Sequence, residues 1–534
     1  MARDERNVQS QLTDSAARRS VQSDPAGDSI GRLLLVLACL SSIGLMFPMW
    51  SAGPLVLDEH GSYWMIDSDL PGTTLSRSLS YTAIPPLSGW LQELFLLALG
   101  KSELVFRLPS ALCHLIAVPV IYFAGTTLRG RLPGGIAALL LAWHPEALDE
   151  VRIARCYGLV LLMASLVVWA TLRWLKHGPQ VRWVVAWTLS AAGLMWTHYT
   201  SALLVILAAG CLGFSSFRAR KPGTGLTPWL LAMMALTLLC MPLIPSVLRL
   251  REWGPYLNYM SADQSIWSFI GPVWWLGIPM GLLTSRTLCR KRSADQSSEM
   301  KMEGSWLLVL AMCSLFPLLI LAVLASGDLS SLANPRYRVA YAPAGACLIA
   351  AMMSTKSHRT GVVLGAIVTI VSSWAMSPLL PWQLGRLGSP TDAEWRDANL
   401  FLAANSKAGE QIFVQSGLAE SSLVPAFPTD DVFLEYVACR VSRFYLESLH
   451  PRVGLPFRWD VSHDVPLNFR SRMLSGSGTE TSFWVAAATD TDLNRASLAG
   501  LQQIARSSGF ALQNEKTWPN VRVERYVLPA SEAP

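Results

Sequence analysis

Apolar runs of about 20 residues recur between positions 31 and 376 of this 534-residue chain, and no other feature constrains its fold so strongly. An α-helix needs roughly that length to cross a bilayer. Charged residues make up 15% of the chain, whereas soluble globular proteins carry about a quarter. The sequence therefore predicts a polytopic α-helical membrane protein of about eleven spans, near 31–50, 108–128, 133–148, 157–175, 183–197, 199–214, 226–247, 268–284, 305–325, 338–354 and 360–376.

Polar stretches precede and interrupt these runs. Residues 1–30 are rich in Ser and Arg, which predicts a disordered cytoplasmic tail. The membrane domain is predicted at 31–378, with a first outer loop at 51–107. Within that loop, 84–101 begins with two prolines and then becomes apolar. This pattern predicts interfacial helical structure, lying along the membrane surface rather than across it.

After position 378 the composition changes to that of a soluble domain. Helical and extended patterns alternate there, at 391–410, 411–415, 482–490, 492–510 and 521–529. Thr391 and Glu394 have the spacing of a capping box at the start of the first helix. Such alternation over about 150 residues predicts one C-terminal α/β soluble domain at 379–534.

The Lys and Arg residues predict the orientation of the chain in the membrane. With the N-terminus in the cytoplasm, roughly twice as many basic residues fall in cytoplasmic segments as in outer loops. This count requires 182–214 to break near 197–200 into a tight hairpin, because one continuous helix would be about 50 Å long. We therefore predict a multi-pass protein of the inner cell membrane, with a cytoplasmic N-terminus and an extracytoplasmic C-terminal domain.

Two compositional features carry no further function. The net charge of +6 reports membrane topology, so no nucleic-acid partner is predicted. The nine cysteines are scattered without a C-x-x-C pair, which indicates neither a metal cage nor a disulfide framework.

Charged residues from distant parts of the chain share the predicted outer membrane surface. They are Asp58, Glu59, His60, Glu103, Arg107, Glu146, Asp149, Glu150, Arg152, Arg155, His198, Arg249, Arg251, Glu252, Arg336 and Arg338. Charge at this depth indicates function by default, and the two signs together suit a site that binds an anion and moves a proton.

Each member of this set also has an ordinary structural explanation. Arg107 and Arg338 lie next to apolar runs and fit helix ends that extend to the interface. Glu103 and Arg107 stand four residues apart and fit a local ion pair. Asp149 with Glu150 fits a solvated loop. The set as a whole favours a site more than any member does.

Six stretches of these segments match a known pattern in their order and spacing. They are "LDEHGSYW" (57–64), "IPPLSGWL" (84–91), "GKSELVFRLPSAL" (100–112), "HPEALDEVRIARCYGLVLL" (144–162), "WTHYTSALLVI" (196–206) and "NPRYRVAYAPAG" (334–345). Together they resemble the GT-C membrane glycosyltransferases, which include protein O-mannosyltransferases and bacterial aminoarabinose transferases. The chain departs from them at Ala83 and Ile84, where many members have His or Lys before the paired prolines.

The resemblance implies an inverting glycosyltransferase that moves a sugar from a polyprenyl-phosphate donor to a hydroxyl on the outer face of the membrane. The acceptor is a protein, a lipid or a glycan. The implied roles are catalysis by Asp58 with Glu59, donor phosphate binding by Arg155, Tyr157, Arg336 and Arg338, and substrate binding by His60, Asp149, Glu150, Arg152 and His198.

Several alternatives stay open at this stage. No cofactor is expected, although Asp58, Asp149 and Glu150 are candidates to hold a divalent metal. A secondary transporter would also have many spans and charges within the membrane, but these would gather near mid-bilayer. A catalytically inactive relative that binds glycolipids would retain most of the same motifs.

Overall fold

The structure is a computed structural model that describes residues 25–46, 53–82, 84–218, 226–250, 297–326, 329–353, 359–375, 377, 388–417, 420–421, 430–446, 450–457, 469–473 and 482–529. The predicted span at 268–284, most of the N-terminal tail, Arg251 and Glu252 lie outside these residues.

The described chain up to residue 375 is helical. Its α-helices are α1 (Pro25–Met46), α2 (Leu57–Ile66), α3 (Thr74–Arg77), α4 (Leu87–Leu99), α5 (Glu103–Arg129), α6 (Arg131–Ala142), α7 (Pro145–Val151), α8 (Tyr157–His177), α9 (Val181–Met195), α10 (Ala202–Arg218), α11 (Leu226–Cys240), α12 (Ile244–Arg249), α13 (Ser297–Ala325), α14 (Ala342–Met353) and α15 (Arg359–Ala375). Short 3₁₀ segments include Tyr199–Ser201 and Pro335–Tyr341, and Ser78–Thr82 forms a π-helical turn.

Six helical stretches are long and apolar enough to cross a membrane. They are Ala26–Met46, Glu103–Leu128, Tyr157–His177, Tyr199–Arg218, Leu226–Arg249 and Trp306–Ala325. Shorter apolar helices lie at Leu87–Leu99, Arg131–Ala142, Val181–Met195 and Val362–Ala375. The chain is therefore a helical protein with several membrane-type helices, whereas the number eleven stays a prediction.

The expected break in 182–214 is confirmed. Helix α9 ends at Met195, a 3₁₀ turn follows at Tyr199–Ser201, and α10 begins at Ala202. Trp196 donates a hydrogen bond from Nε1 to the carbonyl of Leu239 on α11. The break places His198 between two helices rather than inside one.

Close backbone packing holds the first membrane helices together. Helix α6 packs along both α1 and α5. A Cβ atom on Gly31 of α1 would collide with the carbonyl of Arg131, and one on Gly134 of α6 would lie 2.6 Å from the carbonyl of Tyr122 on α5. Small residues are favoured at such contacts because lipid offers no hydrophobic drive for helix association, so van der Waals packing must supply it.

The C-terminal part contains a five-stranded sheet of order β2-β1-β3-β5-β4. Its elements are α16 (Pro390–Asn405), β1 (Gln411–Gln415), α17 (Asp431–Val437), β2 (Arg452–Gly454), β3 (Ser482–Ala488), α18 (Asp492–Ser507), β4 (Ala511–Thr517) and β5 (Val521–Val527). Strand β1 runs parallel to β2 and β3, and β5 is antiparallel to β3 and β4. Apolar cores lie on both faces of the sheet.

Most of these sheet elements follow the predictions, with local corrections. Strand β1 has the predicted bounds, whereas β2, β4 and α17 were not predicted. The capping box at the start of α16 is formed by Ser389 and Asp392. The prediction of Thr391 and Glu394 for this role was wrong, because Pro390 takes the first helical position.

The sheet-containing part packs onto the first outer loop. The ring of Trp64 in α2 lies 4.8 Å from that of Tyr436 in α17. The Tyr445 hydroxyl accepts a hydrogen bond from the backbone N–H of Leu55, at 3.0 Å. Phe444 packs edge-on against Tyr63 of α2, at 5.2 Å. The segment 430–446 therefore lies directly on the helix that carries Asp58.

The contact of Gly31 predicts a large difference between two glycines of one helix. We expect Gly31→Ala to destabilise the protein by about 1–3 kcal/mol, since backbone atoms cannot move aside as a side chain would. Gly44 is the matched control in α1, because a Cβ there meets nothing within 4 Å. Thermal unfolding in detergent would measure both, and equal melting temperatures would contradict the packing.

Candidate active site

Three segments far apart in the chain bring one acid and two arginines together. Asp58 lies in the first turn of α2, Arg155 directly precedes α8, and Arg336 lies in the 3₁₀ segment Pro335–Tyr341. The side chain of Asn334 accepts a hydrogen bond from the N–H of Arg336 and so begins that segment. The Arg336 guanidinium donates to the Asp58 carboxylate, with 2.7 Å between Nη1 and Oδ2.

Arg155 completes this group from the other side. Its Nη1 lies 3.3 Å from the carbonyl oxygen of Asp58 and 3.4 Å from the hydroxyl of Ser62, one turn later in α2. Burial favours a raised pKa for the Asp58 carboxyl, but Arg155 and Arg336 outweigh it and hold this pKa below its usual value. Asp58 is therefore ionised at neutral pH and partly exposed, at 31% of its side chain.

Glu59 points away from this group. Its Oε1 and Oε2 accept hydrogen bonds from Arg107 at 2.7 and 2.6 Å, and both residues are almost wholly buried. The backbone N–H groups of Val56 and Ala154 also donate to this carboxylate. Glu59 had two predicted roles, to orient Asp58 or to replace it as the base, and the four donors on its two oxygens favour the orienting role. Glu59 thereby positions two residues of the site. Asp58 precedes Glu59 in the chain, and Arg155 follows Ala154, whose N–H donates to Glu59.

Arg107 likewise differs from its expected pairing. It was interpreted as a partner of Glu103, but its remaining donors reach the carbonyl oxygens of Gly53 and Pro54, at 2.9 and 2.8 Å. Glu103 accepts instead from the hydroxyl of Tyr445. The pairing four residues apart was wrong because the fold offers Arg107 a fully buried carboxylate.

Glu150 of α7 is the second acid near the arginines. Burial raises the pKa of its carboxyl to about 7, with Asp149 and Asp58 raising it and Arg336 and Arg155 lowering it. The preceding Asp149 pairs with Arg152 at 2.7 Å on the more exposed side of the helix. Glu150 thus changes charge near neutral pH, beside the two arginines.

His198 lies between two tyrosines at the inner side of the group. Its ring is 5.5 Å from that of Tyr157 and 5.6 Å from that of Tyr337, and its Nδ1 is 2.8 Å from the Thr200 hydroxyl. Burial, followed by the charges of Arg155 and Arg336, lowers the pKa of this imidazole to about 3. His198 is therefore neutral in the site.

The structure also places two further residues of the predicted site. His60 is 1% exposed and packs against Tyr445, so it faces the C-terminal part rather than a substrate. Burial, aided by Arg440 and Arg107, lowers the pKa of its imidazole to about 3. The buried Arg338 pairs with Glu146 at 2.8 Å, and its role in phosphate binding stays a prediction.

Sequence reasoning missed two residues near the site. Ser62 follows Asp58 by four residues in α2, and this helical spacing was available in the sequence. Tyr436 lies in α17 of the C-terminal part and packs against Trp64 of α2, the helix that carries Asp58. No local pattern could have connected a residue of that part with the membrane site.

The acids of this site do not form a metal-binding set. Asp58 is paired with Arg336, and Asp149 with Arg152. In the part of the chain that the structure describes, no three His, Cys, Asp or Glu side chains are arranged to hold an ion. A cation at Asp58 would have to displace the guanidinium of Arg336.

The fold is similar to those of three solved GT-C glycosyltransferases. ArnT from Cupriavidus metallidurans in the apo state aligns with a TM-score of 0.58 and 13% identity, over 92% of this chain and 97% of that one. AglB from Archaeoglobus fulgidus, in complex with an inhibitory peptide and a dolichol-phosphate, aligns with a TM-score of 0.51 and 12% identity, over 94% and 75%. The arabinofuranosyltransferase AftD from Mycobacteria gives 0.55 and 15%, over 93% and 40%.

Part of the sequence also matches a known protein family. Residues 83–245 match the family of dolichyl-phosphate-mannose-protein mannosyltransferases. No curated protein sequence matches the chain significantly. The chain is thus similar to GT-C glycosyltransferases in its fold and, over residues 83–245, in its sequence. The matched region contains Glu150, Arg155 and His198, whereas Asp58 and Arg336 lie outside it.

The buried pair of Glu59 and Arg107 predicts a strong effect on stability. We expect Glu59→Gln to destabilise the protein by about 3–5 kcal/mol, because it leaves a buried guanidinium without its counter-charge. The control is Glu515→Gln, which breaks an exposed Glu–Arg pair with Arg522. Denaturation in detergent would measure the free energy of unfolding of both variants. An equally small decrease in both would show that the Glu59–Arg107 pair does not stabilise the packing of the loops.

Proposed function

We propose that the protein is an inverting glycosyltransferase that transfers one sugar from a polyprenyl-phosphate donor to a hydroxyl acceptor. The family match over residues 83–245 and the similarity of fold to GT-C glycosyltransferases support a transferase. A structure of ArnT bound to undecaprenyl phosphate, with a TM-score of 0.54, and the dolichol-phosphate complex of AglB support a lipid-phosphate donor. One observation carries the proposal for this chain, namely the Asp58–Arg336 pair with Arg155 beside it.

Before a donor binds, the guanidinium of Arg336 balances the charge of the Asp58 carboxylate. A donor phosphate offers Arg336 and Arg155 a competing anion, and the planar guanidinium groups suit its oxygens because they donate two parallel hydrogen bonds. Loss of the Arg336 contact would release the Asp58 carboxylate and raise its proton affinity. Donor binding would therefore prepare the base, so that Asp58 acts only when a sugar is present.

The chemical step then needs one base and one anion-binding group. The acceptor oxygen attacks the anomeric carbon while its proton moves to Asp58. The bond between that carbon and the phosphate oxygen breaks, and its electron pair stays on the departing polyprenyl phosphate. Arg155 and Arg336 stabilise the negative charge that grows on the departing phosphate. Attack opposite the phosphate inverts the anomeric centre.

The remaining proposed roles surround this reaction. Tyr157 and the neutral His198 lie against each other behind the arginines. Asp149 and Glu150 of α7, with Arg152 at its C-terminal end, are the proposed substrate contacts. No cofactor or metal takes part. The reaction takes place on the outer face of the inner membrane, with the N-terminus in the cytoplasm, and the acceptor is a protein, lipid or glycan.

Replacing the base tests the proposed chemistry. We expect Asp58→Asn to lower transfer by about 10²- to 10⁴-fold while undecaprenyl phosphate still binds, because the amide cannot take the proton. Asp69→Asn, an exposed change in the same loop, serves as the control. The assay is complementation of a deletion strain, with mass spectrometry of its glycans and glycolipids. A sugar restored equally by wild type and Asp58→Asn would refute the assignment and favour an inactive relative.

Replacing the phosphate ligand should give a different result. We expect Arg336→Lys to weaken binding of undecaprenyl phosphate and also to lower transfer by about 10²-fold, since a lysine keeps the charge but loses the two-point contact. Equilibrium binding to purified protein in nanodiscs would measure the first effect. Unchanged affinity would remove Arg336 from the donor site.

The raised pKa of Glu150 predicts a pH dependence of donor binding. Below pH 7 this carboxyl is neutral, and above pH 7 its charge competes with the phosphate for Arg336 and Arg155. We expect wild-type protein and Glu150→Gln to bind undecaprenyl phosphate alike at pH 6. At pH 8 the wild type should bind about five- to tenfold more weakly than the variant, and comparison with the variant cancels the ligand's own titration. A ratio independent of pH would contradict this coupling.

A further inference from the structure

A second polar cleft lies in the C-terminal part, at the carboxyl ends of the parallel strands β1 and β3. Its volume is about 100 Å³, and its lining includes Thr391, Ser416, Arg440, Phe457, Asp490 and Asn494. In open sheets with parallel strands, ligands bind outside the carboxyl ends of the strands, where connections leave toward opposite faces. This cleft occupies that position.

Helices on the two faces of the sheet begin at the cleft. Helix α16, which packs on one face through Trp395, begins at Pro390 and supplies Thr391. Helix α18, which packs on the other face through Leu498, begins at Asp492 and supplies Asn494. Hydroxyl and amide groups from both layers therefore meet in one recess.

Arg440 forms one wall of the cleft with its charge already partly balanced. It is 9% exposed, donates to Asp392 at 2.9 Å and lies 5.3 Å over the ring of Trp395. Its Nε has no hydrogen-bond partner among the described residues, and neither has the buried Oε1 of Gln415 at the end of β1. Arg440 lines the cleft, and Gln415 directly precedes Ser416 of the lining.

The chemistry of the lining selects the ligand. An anion would meet the Asp490 carboxylate, and a cation would meet the guanidinium of Arg440, which pairs with Asp392. A neutral molecule with several hydroxyl groups suits the mixture, because each hydroxyl both donates and accepts. Phe457 adds an apolar surface for the C–H face of such a molecule. These features describe a single sugar unit.

The cleft is close to the candidate active site along the chain. Arg440 belongs to segment 430–446, which packs on the first outer loop through the contact of Tyr436 with Trp64 of α2 and the hydrogen bond from Leu55 to Tyr445. We propose that this cleft binds a neutral sugar unit of a glycan acceptor. Naming the acceptor rests on the proposed transfer reaction, whereas sugar binding itself does not.

Direct binding measurements test the cleft. The full chain in nanodiscs is titrated with methyl α-D-mannopyranoside, methyl β-D-galactopyranoside, methyl α-L-arabinofuranoside and inorganic phosphate, by saturation-transfer difference NMR. We expect at least one glycoside to bind and phosphate not to bind. Asp490→Asn and Asn494→Ala, made separately so that a misfolded variant does not end the test, should each weaken glycoside binding about tenfold.

Two controls separate this site from the reaction. Asp492→Ala lies in the same first turn of α18 and has a fully exposed side chain, so it should leave binding unchanged. Asp58→Asn should also bind the glycoside normally, even though we expect it to lose transfer. Binding lost in Asp58→Asn but retained in Asn494→Ala would place the sugar in the membrane site and overturn the proposal. Binding of phosphate alone, or of no probe, would also overturn it.

Discussion

The buried pair of Glu59 and Arg107 connects the parts on which the candidate active site depends. Glu59 lies in the first turn of α2, Arg107 belongs to α5, and the Glu59 carboxylate also accepts a hydrogen bond from the N–H of Ala154 before α8. Removing one partner of such a pair leaves an uncompensated charge in a medium that solvates it poorly. The residues that follow or precede these contacts, Asp58 and Arg155, are thereby held within reach of each other.

The exposed pair beside it has the opposite character. Asp58 and Arg336 are partly accessible, and each has a partner that a phosphate or a substrate hydroxyl can replace. The buried Glu59–Arg107 pair positions the loops, whereas the partly exposed Asp58–Arg336 pair is available for the proposed chemistry. The loops remain in place when the exchangeable pair opens, because their attachment does not involve Asp58.

The C-terminal part is a structural component of this site. In segment 430–446, Tyr436 packs against Trp64 of α2, and the Tyr445 hydroxyl accepts a hydrogen bond from Leu55 just before α2. A change in the sheet or in its cleft would reach Asp58 through contacts between rigid elements. This arrangement gives a physical route by which an acceptor could be recognised next to the reacting atoms.

The sequence alone determined the helical membrane architecture, the break near His198 and the set of charges from which the site is built. These features are local, because a bilayer requires each spanning segment to satisfy its own backbone and to be apolar along its length. The motifs around Asp58, Arg155 and Arg336 were likewise readable in short stretches. Strand β1 was predicted for the same reason, as a brief apolar run.

Only the tertiary structure decided which charge meets which. Glu59 pairs with a residue 48 positions away and Asp58 with one 278 positions away, and no periodicity links them. Local spacing favoured Glu103 as the partner of Arg107, and a position at the outer surface favoured a phosphate as the ligand of Arg338. In the structure Arg107 pairs with Glu59, and Arg338 pairs with Glu146. Desolvation is the reason: a charge removed from water binds the nearest well-placed counter-charge, and folding alone sets that distance.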